Sequence, residues 1–133
     1  MWNGTTPTDI EHGDPDYIID NPSPVAAAIN DSGSAVGSFR NESGAFFWST
    51  GYQGSLPGGF EYAYASGIND SGQIVGTSTP VSAKPFSATF WASATSDPTT
   101  LPTLAGFSGC TSAASGINAA GEIVGWAGVG NNT

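Results

Sequence analysis

Short apolar runs alternate along the chain with polar clusters containing glycine, and no window keeps the three-to-four-residue apolar spacing of an amphipathic helix. The clearest example is Ala65-Ser66-Gly67-Ile68-Asn69-Asp70-Ser71-Gly72-Gln73-Ile74-Val75-Gly76, two apolar stretches around a polar turn. The same order recurs at Ala26-Ala27-Ala28-Ile29-Asn30-Asp31-Ser32-Gly33-Ser34-Ala35-Val36-Gly37 and at Ala114-Ser115-Gly116-Ile117-Asn118-Ala119-Ala120-Gly121-Glu122-Ile123-Val124-Gly125. Each copy predicts a β-hairpin. In the first, a strand from Val25 ends at Ile29, Asp31-Ser32-Gly33 form a three-residue loop, and Ser34 to Phe39 return. Gly33, Gly72 and Gly121 sit where such a loop needs the left-handed conformation. Asn30, Asn69 and Asn118 precede the loops, where an Asn side chain bonds the backbone of a turn. In the returning strands, the adjacent apolar pairs Ala35-Val36, Ile74-Val75 and Ile123-Val124 point to opposite faces, so both faces are expected to be buried. Gly37, Gly67, Gly76, Gly116 and Gly125 are expected to let neighbouring sheets approach closely.

The first two hairpins are followed by further apolar runs: a third strand at Gly44 to Trp48 or Ser87 to Trp91, and a fourth near Gln53 to Leu56 or Thr99 to Leu104. The asparagines are 39 and 49 residues apart, and Trp2, Trp48 and Trp91 are 46 and 43 apart. A period of about 44 residues with four short strands predicts an all-β chain of β-propeller-type blades; a β-trefoil, also three units of four strands, is the alternative. Trp2 to Ile10 parallels the stretches after Trp48 and Trp91. This divides the single repeat domain 1–133 into a half unit (1–20), two units (25–58 and 62–105) and a half unit (111–133), three blade equivalents in all. Three blades leave a ring open, so the expected assembly is a twofold homodimer forming a six-bladed ring, the half units completing a blade within or between chains.

Ala-Ser-Gly-Ile-Asn-x-x-Gly-x-Ile-Val-Gly followed by Ala-x-Phe-Trp resembles the HAF repeat of bacterial, mostly extracellular proteins. Gly44-Ala45-Phe46 and Ser87-Ala88-Thr89 stand in place of that family's His-Ala-Phe triplet. The resemblance implies a secreted or surface protein of propeller type with no assigned catalytic residue, and it carries no functional residue onto this chain.

Composition narrows the partners. Glycine supplies 19 of the 133 residues and charged residues only 10% of the chain, a profile of short strands and many turns. The net charge is -9, and Arg40 and Lys84 are the only cationic side chains apart from His12. Too few cations are present to neutralise a phosphate backbone, so neither nucleic acid nor an anionic membrane is an expected partner. No apolar run reaches the roughly 20 residues of a membrane-spanning helix, and Met1-Trp2-Asn3-Gly4 lacks the basic and apolar regions of a signal peptide. The lone cysteine, Cys110, reads as a small hydrophobe, having no basic neighbour in sequence.

No residue set suggests an enzyme or a cofactor. Glu61, Glu122 and the Asp14 region are the carboxylates from which a glycoside-cleaving pair would have to be assembled. His12 reads as a loop residue. Asp14, Asp16 and Asp20 are a candidate calcium-binding set with alternating carboxylates; the hairpin loop is not one, because its third copy replaces Asp-Ser by Ala119-Ala120 and keeps only the glycine. Tyr52, Tyr62, Tyr64 and Trp126 lie outside the repeated core positions and are candidate platforms for a neutral glycan. The five Asn-x-Ser/Thr sequons, at Asn3, Asn30, Asn41, Asn69 and Asn131, are accounted for by the abundance of Ser and Thr and by turn chemistry. The expected function is a non-catalytic scaffold that binds a glycan or protein, or assembles with itself.

Overall fold

The computed structural model describes residues 2–3, 6–7, 24–39, 44–50, 52–79, 85–103 and 109–128. The candidate calcium residues Asp14, Asp16 and Asp20, together with His12, lie outside this set. The described residues form an all-β chain of antiparallel sheets, none closed into a barrel.

Strands β1 (Trp2–Asn3) and β2 (Thr6–Pro7) pair with each other. Strands β3 (Pro24–Ile29), β4 (Ala35–Phe39), β5 (Ala45–Ser49) and β6 (Tyr52–Ser55) form a meander in which each strand neighbours the next. Strands β7 (Tyr62–Ile68), β8 (Ile74–Thr79), β9 (Ser87–Trp91) and β10 (Thr99–Thr100) form a second meander with the same order. Strands β11 (Thr111–Ile117) and β12 (Ile123–Gly128) form a third hairpin, a two-stranded sheet among the described residues. The fourth strand of the second meander is shorter than the spacing suggested: it pairs with β9 at Thr99 and Thr100, Leu101 N–H still donates to Ala88 O at 2.8 Å, and Leu104 lies outside the described residues.

The three hairpins share one turn. In the first, the Asn30 and Ser34 backbones pair at 3.0 Å and Gly33 N–H donates to Asn30 O at 3.0 Å; Asn69 with Gly72 and Asn118 with Gly121 repeat the pattern. Gly33, Gly72 and Gly121 have φ of 80°, 77° and 83°, which glycine adopts without the strain that a Cβ imposes. All three also carry a register shift in the first strand, between Ala26 and Ala28, Ala65 and Gly67, and Ala114 and Gly116.

That shift explains a glycine whose role differs from the expected one. A Cβ at Gly37, Gly76 or Gly125 would collide with the carbonyl oxygen of Val25, Tyr64 or Ala113, on the partner strand of the same hairpin. The bulged strand presses its backbone onto these positions, so the constraint arises inside the sheet rather than between sheets. Gly67 does meet the next unit: its Cβ position lies 3.2 Å from Gly116 Cα and 3.3 Å from Ile117 N.

The units stack in sequence order. Strand β7 packs against β3, β4 and β5, and β11 packs against β7, β8 and β9. Val36 and Ala45 of the first meander share one buried cluster with Ala63, Ala65, Ile68, Ile74 and Trp91 of the second. Val75 of the second meets Ala114, with Ile117 and Ile123 packed alongside. Val36 and Val75 therefore face the following unit, while Ile68 and Ile117 face the preceding one. Fully buried Trp91 anchors the first joint: its indole N–H donates to Pro57 O at 2.9 Å, and its ring meets Phe60 edge-on at 6.4 Å. The second joint has polar fastenings, where the Ser112 hydroxyl accepts Ala88 N–H at 2.9 Å and Ser112 N–H donates to Phe86 O at 2.9 Å.

Candidate functional site

Three asparagines at equivalent positions make one ladder across the units. Within each hairpin the side-chain oxygen accepts the backbone N–H four residues on: Ser34 at 2.9 Å, Gln73 at 3.0 Å and Glu122 at 2.9 Å. Between hairpins the amide nitrogen donates forward, from Asn30 to Asn69 O and from Asn69 to Asn118 O, both at 3.0 Å. The remaining amide proton of Asn69 goes to Gln73 Oε1 at 2.7 Å, and the matching proton of Asn118 to Glu122 Oε2 at 2.6 Å. A second rung joins the first two turns, with Asp31 N–H donating to the Asp70 carboxylate at 2.8 Å. Ala119 supplies no carboxylate for Asp70 N–H, so this rung is confined to the first joint.

Among the described residues both ends of the ladder are open. A primary amide has two protons, and Asn118 uses one on Glu122; a carbonyl has two lone pairs, and Asn30 O accepts only Gly33 N–H among the described residues. The apolar faces beside these groups are bare as well. Val124 is 66% exposed, whereas the equivalent Val36 and Val75 are fully buried, and neighbouring Trp126 is 56% exposed. The expectation of two buried faces thus holds for the returning strands of the first two units and not for that of the third, because nothing described stacks beyond β12. At the opposite end Ile29 is 53% exposed, against 7% for the equivalent Ile68, and Ala26 is exposed where Ala65 and Ala114 are buried. One exposed face carries what the other lacks: a forward-facing valine at one end, a backward-facing isoleucine and alanine at the other.

The candidate glycan aromatics are distributed over three units. Tyr62 and Tyr64 share an exposed face of β7, alternating with buried Ala63 and Ala65 and standing opposite Thr79 and Thr77. Tyr52 is exposed on β6 in the first meander and packs on Phe47 with ring centroids 5.9 Å apart. Trp126 belongs to the bare face of β12. Glu61 precedes β7 and Glu122 closes the third turn, bound to Asn118. Cys110 is half-buried. Among the described residues no group of three or more His, Cys, Asp or Glu side chains is placed to hold a metal ion, and no helix is long and apolar enough to cross a membrane.

The forward amide bonds span 39 and 49 residues, so local sequence could show the turn but not the ladder. The identical spacing of Asn to the following glycine in all three copies was the available signal. No protein-family model matches the chain, and no curated protein or solved structure matches it either.

Proposed function

We propose that the chain is a non-catalytic, propeller-type repeat scaffold whose function is assembly: its units stack as blades, and homodimerisation completes a six-bladed ring. One observation carries this reading. The two end faces of the stack are apolar, exposed and complementary, and inside the chain the same positions are buried against each other at both joints. Exposed apolar surface of this kind marks an interaction site. Meanders joined in sequence order suit blades rather than a trefoil. The extracellular or surface location and the HAF-type relationship accompany this reading on the strength of the repeat motif alone. The test is sedimentation equilibrium of the chain: a mass of two chains supports the ring, and a mass of one chain at all concentrations rejects it.

A lectin-like module is the second reading, favoured by the exposed pair Tyr62 and Tyr64 on one strand face. A pair of rings two residues apart on a strand offers a platform to the apolar face of a neutral sugar. Glycan-array binding that is lost in the Tyr62→Ala, Tyr64→Ala double variant supports it; a signal unchanged by the double substitution removes it.

A further inference from the structure

We infer that the join between copies is head to tail and proceeds by strand addition, β1 of one copy pairing with the free edge of β12 of another so that Trp2 lies opposite Ile123. This rests on the self-assembly reading and names the surfaces that carry it.

The register comes from the two complete meanders. Strand β4 pairs with β5 so that Ala35 lies opposite Trp48, and β8 pairs with β9 so that Ile74 lies opposite Trp91. Ile123 occupies the same place in β12, three residues beyond the end of the Ala119-Ala120 turn, and among the described residues no strand pairs with that edge. An unpaired edge presents a row of N–H and C=O groups that accept another strand. The matching strand is β1. Trp2 lies opposite Pro7 and Asn3 opposite Thr6, as Trp48 lies opposite Gln53 and Ser49 opposite Tyr52. The pair β1–β2 thus repeats the register of the outer pair β5–β6, yet it forms a sheet separate from β11–β12. Joined, they give the order β11-β12-β1-β2, the meander of the other two units.

The same docking fills the rest of the open ends. It sets the second copy's β3 on the face of β12, where Val124 meets Ala26 and Ile29 as Val75 meets Ala114 and Ile117. The free amide proton of Asn118 meets the second lone pair on Asn30 O and continues the ladder in its existing direction. Ala119 N–H meets the Asp31 carboxylate, restoring the rung that joins Asp31 N–H to Asp70. A tail-to-tail join would instead oppose two forward-facing valines and two amide donors. Head-to-tail contacts made twice close a ring of two copies.

The test uses two single-cysteine chains in a Cys110→Ser background. The register places Glu122 opposite Asn3 of the second copy, so one chain carries Asn3→Cys and the other Glu122→Cys. Oxidation of the mixture is expected to give a disulfide-linked species of two chains, while each variant alone stays uncrosslinked. Crosslinking of either variant alone to the same extent as the mixture, or none in the mixture although the unsubstituted chain sediments as two, overturns the head-to-tail join while leaving self-assembly standing. A one-chain mass for the unsubstituted protein removes both readings. Val124→Asp provides a variant independent of the turn: with unchanged circular dichroism, its sedimentation is expected to shift from two chains to one, and a retained two-chain mass overturns the proposal.

Discussion

Replacing Asn69 by alanine tests whether the amide ladder holds the units together. Asn69 is buried, and its side chain makes three hydrogen bonds: it accepts Gln73 N–H at 3.0 Å and donates to Gln73 Oε1 at 2.7 Å and to Asn118 O at 3.0 Å. A typical bond contributes about 1 kcal/mol net, and partners left unpaired in a buried site cost more, so Asn69→Ala is expected to destabilise the chain by about 3 kcal/mol. With a urea m-value of about 2 kcal/mol/M, the unfolding midpoint falls by about 1.5 M. The control is Asn118→Ala, measured at a dilution where chains are separate. The Asn118 side chain is exposed and, among the described residues, bonds only Glu122, also exposed, so water replaces what is lost and the expected cost is under about 1 kcal/mol. The assay is urea unfolding followed by tryptophan fluorescence, since buried Trp91 lies in the unit that Asn69 joins to its neighbours. Equal costs for the two variants would refute the reasoning, because the local turn bonds alone would then account for both.

Other positions separate local from long-range effects. Gly76→Ala drives a Cβ into Tyr64 O and is expected to destabilise by more than about 2 kcal/mol, whereas Gly116→Ala finds Val124 Cγ2 at an ordinary 3.6 Å and is expected to change stability by less than about 1 kcal/mol; thermal melts of the pair check this. Buried Ser78 and Thr89 hydroxyls lie 2.6 Å apart, and Thr89 donates its proton to Ser87 O at 2.9 Å, so Ser78 is the donor to Thr89. Thr89→Val therefore strands a buried donor at about 1–3 kcal/mol, Ser78→Ala costs less, and the double variant less than the sum, as a double-mutant cycle in urea reads out. Trp91→Phe removes the indole donor to Pro57 O along with part of a fully buried ring, for an expected loss of about 2 kcal/mol by calorimetry.

Much of the architecture is legible because it is encoded locally and repeated. The left-handed glycines and preceding asparagines mark each turn, and the alternation around them marks the strands, so β3, β4, β5, β6 and β9 fall within a residue or two of their expected places, while β7 and β8 each extend three residues beyond the repeat copy Ala65 to Gly76. The roles of Gly37, Gly76 and Gly125 are not legible, since the bulge that presses a carbonyl onto each depends on the partner strand's register. Val124 shows the other limit: its sequence context matches Val36 and Val75, yet its exposure depends on what stacks beyond it. The ladder joins residues invisible to any local window, although the invariant turn around each asparagine prepared its geometry. The aromatics outside the repeat are exposed, Tyr52 on the first meander and Tyr62 and Tyr64 together on one face of the second.

We propose that the exposed ends of the stack cover one another in a second copy. Sedimentation equilibrium of the unsubstituted chain over a range of concentrations tests it most directly. The expected result is convergence on twice the mass of one chain as concentration rises, with Val124 and Ile29 buried in the join. A single-chain mass across the whole range would contradict it.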